Sequence, residues 1–292
     1  MDLWSTIAER IAAAAGAPFT VRERWSVGGG CIHESWVVSD GTARWFVKSN
    51  DAAAEPLFEA EADGLAALAS SGTVRVPQPL AWGRVGGTSF LAMEYLELGG
   101  HGADETLGRQ LAALHRREAP RFGWRRDNFI GATPQPNAFG DDWIAFMRDQ
   151  RLGYQLALAA QKQDGSRLRR RGEELLARMP ALFDSYRPRP SLLHGDLWGG
   201  NAGVTRGGEP VIFDPAVYCG DREAELAMTE LFGGFSARFY AAYGEAWPLD
   251  EGYAVRKQLY NLYHILNHFN LFGGGYAGQA EAMVERLLTE LR

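Results

Sequence analysis

An α+β chain in two unequal parts is what this sequence predicts, and two observations carry the prediction. Short β-rich runs separated by turn residues fill the first third with one helical stretch among them, and beyond residue 98 segments of helical period dominate. The change falls in LELGGHG, which reads as a hinge, so we expect a first lobe over 1–98 and a second over 99–292. With 292 residues, 46% of them hydrophobic and 12% aromatic, both parts have material for a core, which excludes a disordered or fibrous chain.

The elements follow in order. WSTIAERIAAAAGA is an amphipathic helix rather than a signal peptide, because Asp2 stands where a basic region is needed and Glu9 and Arg10 interrupt the apolar run. ERWSV leads into Gly28, Gly29 and Gly30; SWVVS and RWFVKS are then split by Asp40-Gly41, a two-residue hairpin signal. Ala54 to Ser70 switches to helical period, with Leu57, Leu65 and Leu68 on one stripe and Glu61 on the same stripe. VRVPQPLAWGRV and TSFLAMEYL return to strand character around Gly86-Gly87. In the second part ETLGRQLAALHRRE, DDWIAFMRDQRLGYQLALAAQ, RGEELLARMPALFDSY and VRKQLYNLYHILNHFNLF read as helices, and only LLHGDLWGGN and EPVIFDP look extended.

A net charge of −6 argues against a nucleic-acid partner, and the basic run between Arg167 and Arg171, followed at once by Glu173 and Glu174, reads as a solvated helix face. No stretch approaches eighteen unbroken apolar residues, so no membrane span is expected. Cys31 and Cys219 are the two cysteines, and a chain of this size needs no disulfide; thiols in a reducing, cytoplasmic setting are the expectation.

The chemistry concentrates in LLHGDLWGGN. Asp196 is followed five residues later by Asn201, and Asp214 ends the apolar run VIFDP, which is the spacing of a phosphoryl-transfer site. An acceptor hydroxyl needs a carboxylate to orient it and take its proton, here Asp196. Magnesium takes hard oxygen ligands, here the Asn201 amide and the Asp214 carboxylate, against the phosphates of ATP. His194 reads as a buried histidine bonded to backbone rather than as a catalytic group.

Lys48 in an apolar strand and Glu61 on an apolar helix stripe are each costly alone, and pairing them answers both costs while aiming an ammonium at nucleotide phosphates. SVGGGCIHES supplies a glycine loop in which His33 takes the third glycine's place, and G-x-x-x-x-G-K-[ST] is absent. Glycine loop, strand lysine, helix glutamate, hinge, D-x4-N, aspartate is the order of a protein-kinase-like chain. By that order Met93 sits behind the adenine, and backbone groups of Glu94 and Leu96 line its slot. Glu225 reads either as a brace for the catalytic loop or as a solvated helix carboxylate.

HGDLWGGN, FDPAVYCGDREAELAMTELFGGF, FGWRRDNFIGATPQPN and LNHFNLFGGGY together resemble the fructosamine kinase (ketosamine 3-kinase) family, related to aminoglycoside phosphotransferases and choline kinases, along essentially the whole chain. The resemblance implies a bilobal protein-kinase-like fold, ATP and Mg2+ as cosubstrate and cofactor, and phosphorylation of the 3-hydroxyl of a ketosamine, whose unstable product releases the amine. It makes Lys48 and Glu61 the phosphate anchor, Asp196 the base, and Asn201 and Asp214 the metal ligands. Trp198 would lie against the sugar, where an indole face suits a sugar derivative. His264, Asn267 and His268 on the aromatic helix are acceptor-pocket candidates, although interior packing is the better reading of the histidines. Cys31, in the glycine loop, leaves a redox-linked dimer open beside a monomer. An aminoglycoside or choline-type phosphotransferase is the alternative on the same fold, and a catalytically dead nucleotide-binding module is the reading from another class; the latter is disfavoured because Lys48, Asp196, Asn201 and Asp214 are all present.

Overall fold

The computed structural model describes residues 2–28, 32–162 and 165–291. They form two compact units: Met1–Ala103 with Ala202–Pro215, and Asp104–Asn201 with Ala216–Arg292. The first unit thus runs past the cut expected at Leu98 and takes back a short later segment.

The first unit opens with helix α1 (Leu3–Ala15), closed by Gly16 in the left-handed conformation that glycine adopts without strain. Strands β1 (Glu23–Ser26), β2 (Glu34–Ser39) and β3 (Arg44–Asp51) follow, then helix α2 (Glu55–Ser70) and strands β4 (Pro79–Val85) and β5 (Thr88–Glu94). The strands make one antiparallel sheet in the order β1-β2-β3-β5-β4. Ile7 and Ile11 of α1 pack on Val38, Val47, Phe90 and Ala92, residues that alternate inward along their strands. The β2–β3 connection is a four-residue loop rather than the expected two-residue turn. The Asp40 carboxylate accepts the Thr42 and Ala43 amides, which widens the turn and gives those two N–H groups a partner.

The second unit begins with α3 (Asp104–His115) and a small hairpin, β6 (Asn128–Ile130) with β7 (Thr133–Gln135). Helix α4 (Trp143–Phe146), capped by Asp142, runs through a π-helical stretch, Met147–Leu152, into α5 (Gly153–Ala159), and α6 (Gly165–Arg178) follows. The basic run on α6 is answered by ion pairs of Arg169 with Glu173, and of Arg171 with Glu174 and Glu285, as its solvated reading requires. Strand β8 (Ser191–Leu193) enters the HGD loop. The hairpin β9 (Ala202–Val204) with β10 (Pro210–Ile212) belongs to the first unit, after which β11 (Tyr218–Gly220) pairs with β8. Helices α7 (Arg222–Leu231), α8 (Ala237–Ala246), α9 (Tyr253–Phe272) and α10 (Tyr276–Glu290) complete the chain. The second core joins Leu152, Leu156, Leu175, Leu193 and Ala227 to Leu259, Leu266, Val284 and Leu287. No helix of the described residues is long and apolar enough to cross a membrane.

Candidate active site

In the first unit Lys48 lies inside β3 and is 6% exposed. Its Nζ donates to Glu61 Oε1 at 2.6 Å and to Asp214 Oδ1 at 2.7 Å. Burial alone would lower the lysine pKa, but the two carboxylates outweigh it and hold the ammonium charged well past its ordinary range. Burial pushes the Glu61 carboxyl up, against the pull of Lys48. Asp214, two residues beyond β10, has φ +60°, and among the described residues it is the sole non-glycine with positive φ. That conformation is costly for a side-chain-bearing residue and clusters at functional positions. His33 keeps its Nδ1 2.8 Å from the Asn50 amide nitrogen and its ring against Phe58; burial, then Lys48, push its pKa down to about 4, so it is neutral near pH 7.

The other first-unit positions are less constrained. Gly28 is exposed with open space around it, and Gly29, Gly30 and Cys31 lie outside the described residues. Met93 is buried in β5 opposite Phe46, on the strand beside that of Lys48. The Glu94 N–H already donates to the Gln78 carbonyl at 2.9 Å, and its carboxylate pairs with Arg75, so that amide is not open to an adenine. Leu96 is half-buried just after the strand.

The second unit carries the HGD loop. Gly195 has φ +87°, and a Cβ there would stand 2.1 Å from the Ala216 carbonyl, so glycine is required. Glu225 of α7 accepts the His194 N–H at 2.9 Å and the Gly195 N–H at 2.7 Å, and its Oε2 is 2.9 Å from His115 Nε2. The brace reading of Glu225 therefore holds over the solvated one. Burial works to raise its pKa, but His115 and the other donors prevail and hold the carboxyl below its ordinary value. His194 is fully buried and its Nδ1 accepts the Asp196 N–H at 3.3 Å, a structural use. Asn201 Nδ2 donates to the Asp196 carbonyl at 2.9 Å, so the D-x4-N segment closes on itself.

Trp198, 39% exposed, is no core residue. Its ring meets Phe232 edge-on at 6.3 Å and folds over Gly200, where a Cβ would strike the indole at 2.3 Å. Phe232 continues to His268 at 4.8 Å, and His268 to Tyr276 at 5.1 Å and Phe272 at 5.6 Å. His268 thus sits beside the tryptophan's aromatic neighbour. His264 and Asn267 do not: both are buried, and Asn267 bonds the Ile130 carbonyl and the Gln155 amide. Sequence reasoning missed His115, although its place four residues after Leu111 on the apolar stripe of α3 was a legible signal. It also missed why NFIGATPQPN matters. Asn128 and Gln135 donate to the Val217 and Ala216 carbonyls, and Asn137 ties them to the buried guanidinium of Arg151.

Comparison with known proteins gives a consistent picture. The fructosamine kinase family model matches residues 3–290. A probable ketoamine kinase of Synechocystis is 49% identical, over 98% of this chain and 97% of its own. The chloroplastic protein-ribulosamine 3-kinase of Arabidopsis thaliana is 42% identical over 91% of this chain and 83% of its own. A crystal structure from Haemophilus somnus, provisionally named a fructosamine-3-kinase, superposes with a TM-score of 0.89 at 29% identity, covering 98% of this chain and 100% of that one. An aminoglycoside phosphotransferase bound to gentamicin shares the fold, with a TM-score of 0.63 at 13% identity, 100% of this chain and 96% of that one being covered.

Proposed function

Because the chain belongs to the fructosamine kinase family, we propose that it transfers the γ-phosphoryl group of ATP to the 3-hydroxyl of a ketosamine, a fructosamine or ribulosamine, and so initiates deglycation. The observation that carries the reading at the level of chemistry is Lys48, held charged by Glu61 and Asp214. A fixed ammonium of this kind orients phosphate oxygens and stabilises their charge as transfer proceeds. Asp196 orients the acceptor hydroxyl and takes its proton, on a loop whose backbone Glu225 fixes.

The donor set fits magnesium. Among the described residues no group of three or more His, Cys, Asp or Glu side chains is placed to hold a metal by itself. Magnesium is ordinarily held by one or two carboxylates together with substrate phosphates and water, and we propose the Asp214 carboxylate and the Asn201 amide, each from its own unit, as its protein ligands. Asn201 commits its amide nitrogen to Asp196, so its oxygen is the atom for a cation, and the Asp214 side chain is 45% exposed. When bound, the ion supplies neutralisation of phosphate charge.

The acceptor is a neutral sugar with an apolar appendage, taken by Trp198 and its aromatic neighbours. Helix α9 has no carboxylate, where a polycationic aminoglycoside would need several. Of the acceptor candidates on α9, we take His268, whose ring lies against Phe232, as the one that contributes to the pocket, while His264 and Asn267 are buried in the interior. A reducing, cytoplasmic setting suits Cys219, whose thiol is buried and pushed up to about 11.

The test is ADP release from ATP and magnesium with a ribulosamine, a fructosamine, an aminoglycoside and choline. Turnover confined to the ketosamines is the expected outcome. Turnover only with another acceptor overturns the substrate, and ATP binding with no turnover on any member of the panel overturns the kinase reading.

A further inference from the structure

The second unit holds a polar cleft of about 210 Å³ lined by Tyr186, Arg187, Arg189, Ser191, Asp221, Arg222 and Trp247. None of these residues has a part in the proposed reaction. Two of the three arginines have no carboxylate partner among the described residues. Arg187 donates to the carbonyls of Phe183, Asp184 and Tyr186. Arg222, 5% exposed, donates to the carbonyls of Trp247 and Pro248 and to the Tyr243 hydroxyl, and stacks 4.0 Å from the Trp247 ring. Its hydrogen bonds therefore all go to neutral oxygens, although its charge acts on the neighbouring Glu223 carboxylate. The third, Arg189, pairs with Glu118 at 3.1 Å, both side chains being exposed.

The cleft's one carboxylate is already engaged. Asp221 is fully buried, caps α7 by accepting the Glu223 N–H at 3.0 Å, and accepts the Tyr186 and Tyr260 hydroxyls. Ser191, at the first position of β8, is 1% exposed and its hydroxyl has no hydrogen-bond partner among the described residues. An unmatched buried hydroxyl calls for an explanation, and a site that receives a ligand is one. With Arg189 answered by Glu118 and the Asp221 carboxylate occupied by its own donors, Arg187 and Arg222 are the two guanidinium groups of the cleft without an ion-pair partner among the described residues, and guanidinium geometry suits oxyanions. The volume is below the ~300 Å³ where pockets for drug-sized ligands begin. A phosphate, a carboxylate or a compact phosphomonoester suits a cleft of this size.

The cleft is wired to the catalytic loop at two points. Ser191 lies three residues before His194, on the strand that delivers the loop. Arg222 donates to Tyr243 at 3.2 Å, Tyr243 is 2.8 Å from His115 Nδ1, and His115 Nε2 reaches Glu225 at 2.9 Å, the carboxylate that holds the loop amides. With the proton of His115 on Nε2, every link has one donor and one acceptor. An anion in the cleft competes for the Arg222 guanidinium and slackens this chain.

We propose that the Arg187–Arg189–Arg222 cleft is a regulatory site for a small oxyanion, whose occupancy loosens the brace on the HGD loop. The binding half stands independently; the effect on turnover rests on the kinase reading.

The test is a calorimetric titration of inorganic phosphate into the full chain saturated with magnesium and a non-hydrolysable ATP analogue, so that the nucleotide phosphates are already in place. Arg222 is buried and its loss threatens folding, so the variant is Arg187→Gln with Arg189→Gln, both exposed. Single-site binding weakened at least about tenfold in the double variant is expected, in line with the loss of charge-assisted hydrogen bonds. Equal affinity in the two proteins, or no binding to either, overturns the site. In steady-state assays phosphate should lower kcat of the wild type at saturating ATP and leave the double variant unaffected; an equal response in both overturns the coupling. A protein without turnover on any ketosamine counts against the kinase reading alone, because the calorimetric arm still decides the anion site.

Discussion

Asp196 is half-buried and its own amide and carbonyl are already committed, to His194 and to Asn201, so the backbone at this position is fixed independently of the carboxylate. Its removal should therefore cost chemistry and little structure. Asp196→Ala is expected to lower kcat by at least ~10²-fold with ATP affinity nearly unchanged; near-normal turnover in a ketosamine assay would reject its role as base. Lys48 is the opposite case. Taking it away leaves Glu61 buried and uncompensated, so Lys48→Met should destabilise by about 3 kcal/mol as well as weaken ATP, because breaking a buried pair strands the remaining charge. Urea unfolding and ATP kinetics read the two effects separately, and a variant normal in both would mean that the pair anchors nothing. Lys48 was legible in the sequence because a charge in an apolar pattern demands a partner, and Asp196 because its spacing to Asn201 and Asp214 is that of a phosphoryl-transfer site. Glu225 was legible only as one of two alternatives, since its sequence neighbours do not reveal that the HGD amides lie above it.

The brace on the HGD loop depends on how α3 and α8 meet, because His115 comes from one and Tyr243 from the other. Gly108 makes that approach possible. A Cβ there would stand 2.4 Å from the Phe239 carbonyl and 3.2 Å from the Ala242 Cβ, on a helix where alanine would otherwise be favoured. Gly108→Ala should thus destabilise by roughly 1–3 kcal/mol through overpacking, and lower kcat more than it raises KM for ATP. Denaturation midpoints and steady-state kinetics check this, and an unchanged or stabilised protein would show that the contact is loose. At the same scale, the long periodic helices and the first sheet could be read from sequence, since their apolar spacing is regular over many residues. The hairpin of β6 and β7 could not, because strands of three residues carry no alternation. Helices α8 and α10 also escaped the reading, being short on one side and preceded by a glycine run on the other. The acceptor candidates His264 and Asn267 share a helix face with core residues, and only packing separates them from His268 at its edge.

Across the whole molecule, acid is the condition that should expose how the second unit is built. His264 is buried in its core, and burial, then the neighbouring His268, push its pKa down to about 3 from an ordinary 6.5. Between those values the unfolded chain binds a proton that the folded chain refuses, so this contribution is whole above pH 6.5 and is lost as pH falls below it. The expected slope is about 1.4 kcal/mol per pH unit for one proton. Glu225 acts in the same direction lower down, its depressed pKa adding stability that disappears below the ordinary carboxyl value of 4.5. His33, pushed down to about 4, follows the same rule in the first unit. Comparing wild type with His264→Gln isolates the first of these, because every other titrating group is common to both proteins. Urea midpoints from pH 7 to pH 4.5 should fall more steeply for the wild type by close to one proton, whatever the variant loses in absolute stability. Parallel curves would mean that His264 takes up its proton in the folded state, and would move it from the packed core to a position open to solvent or to a ligand.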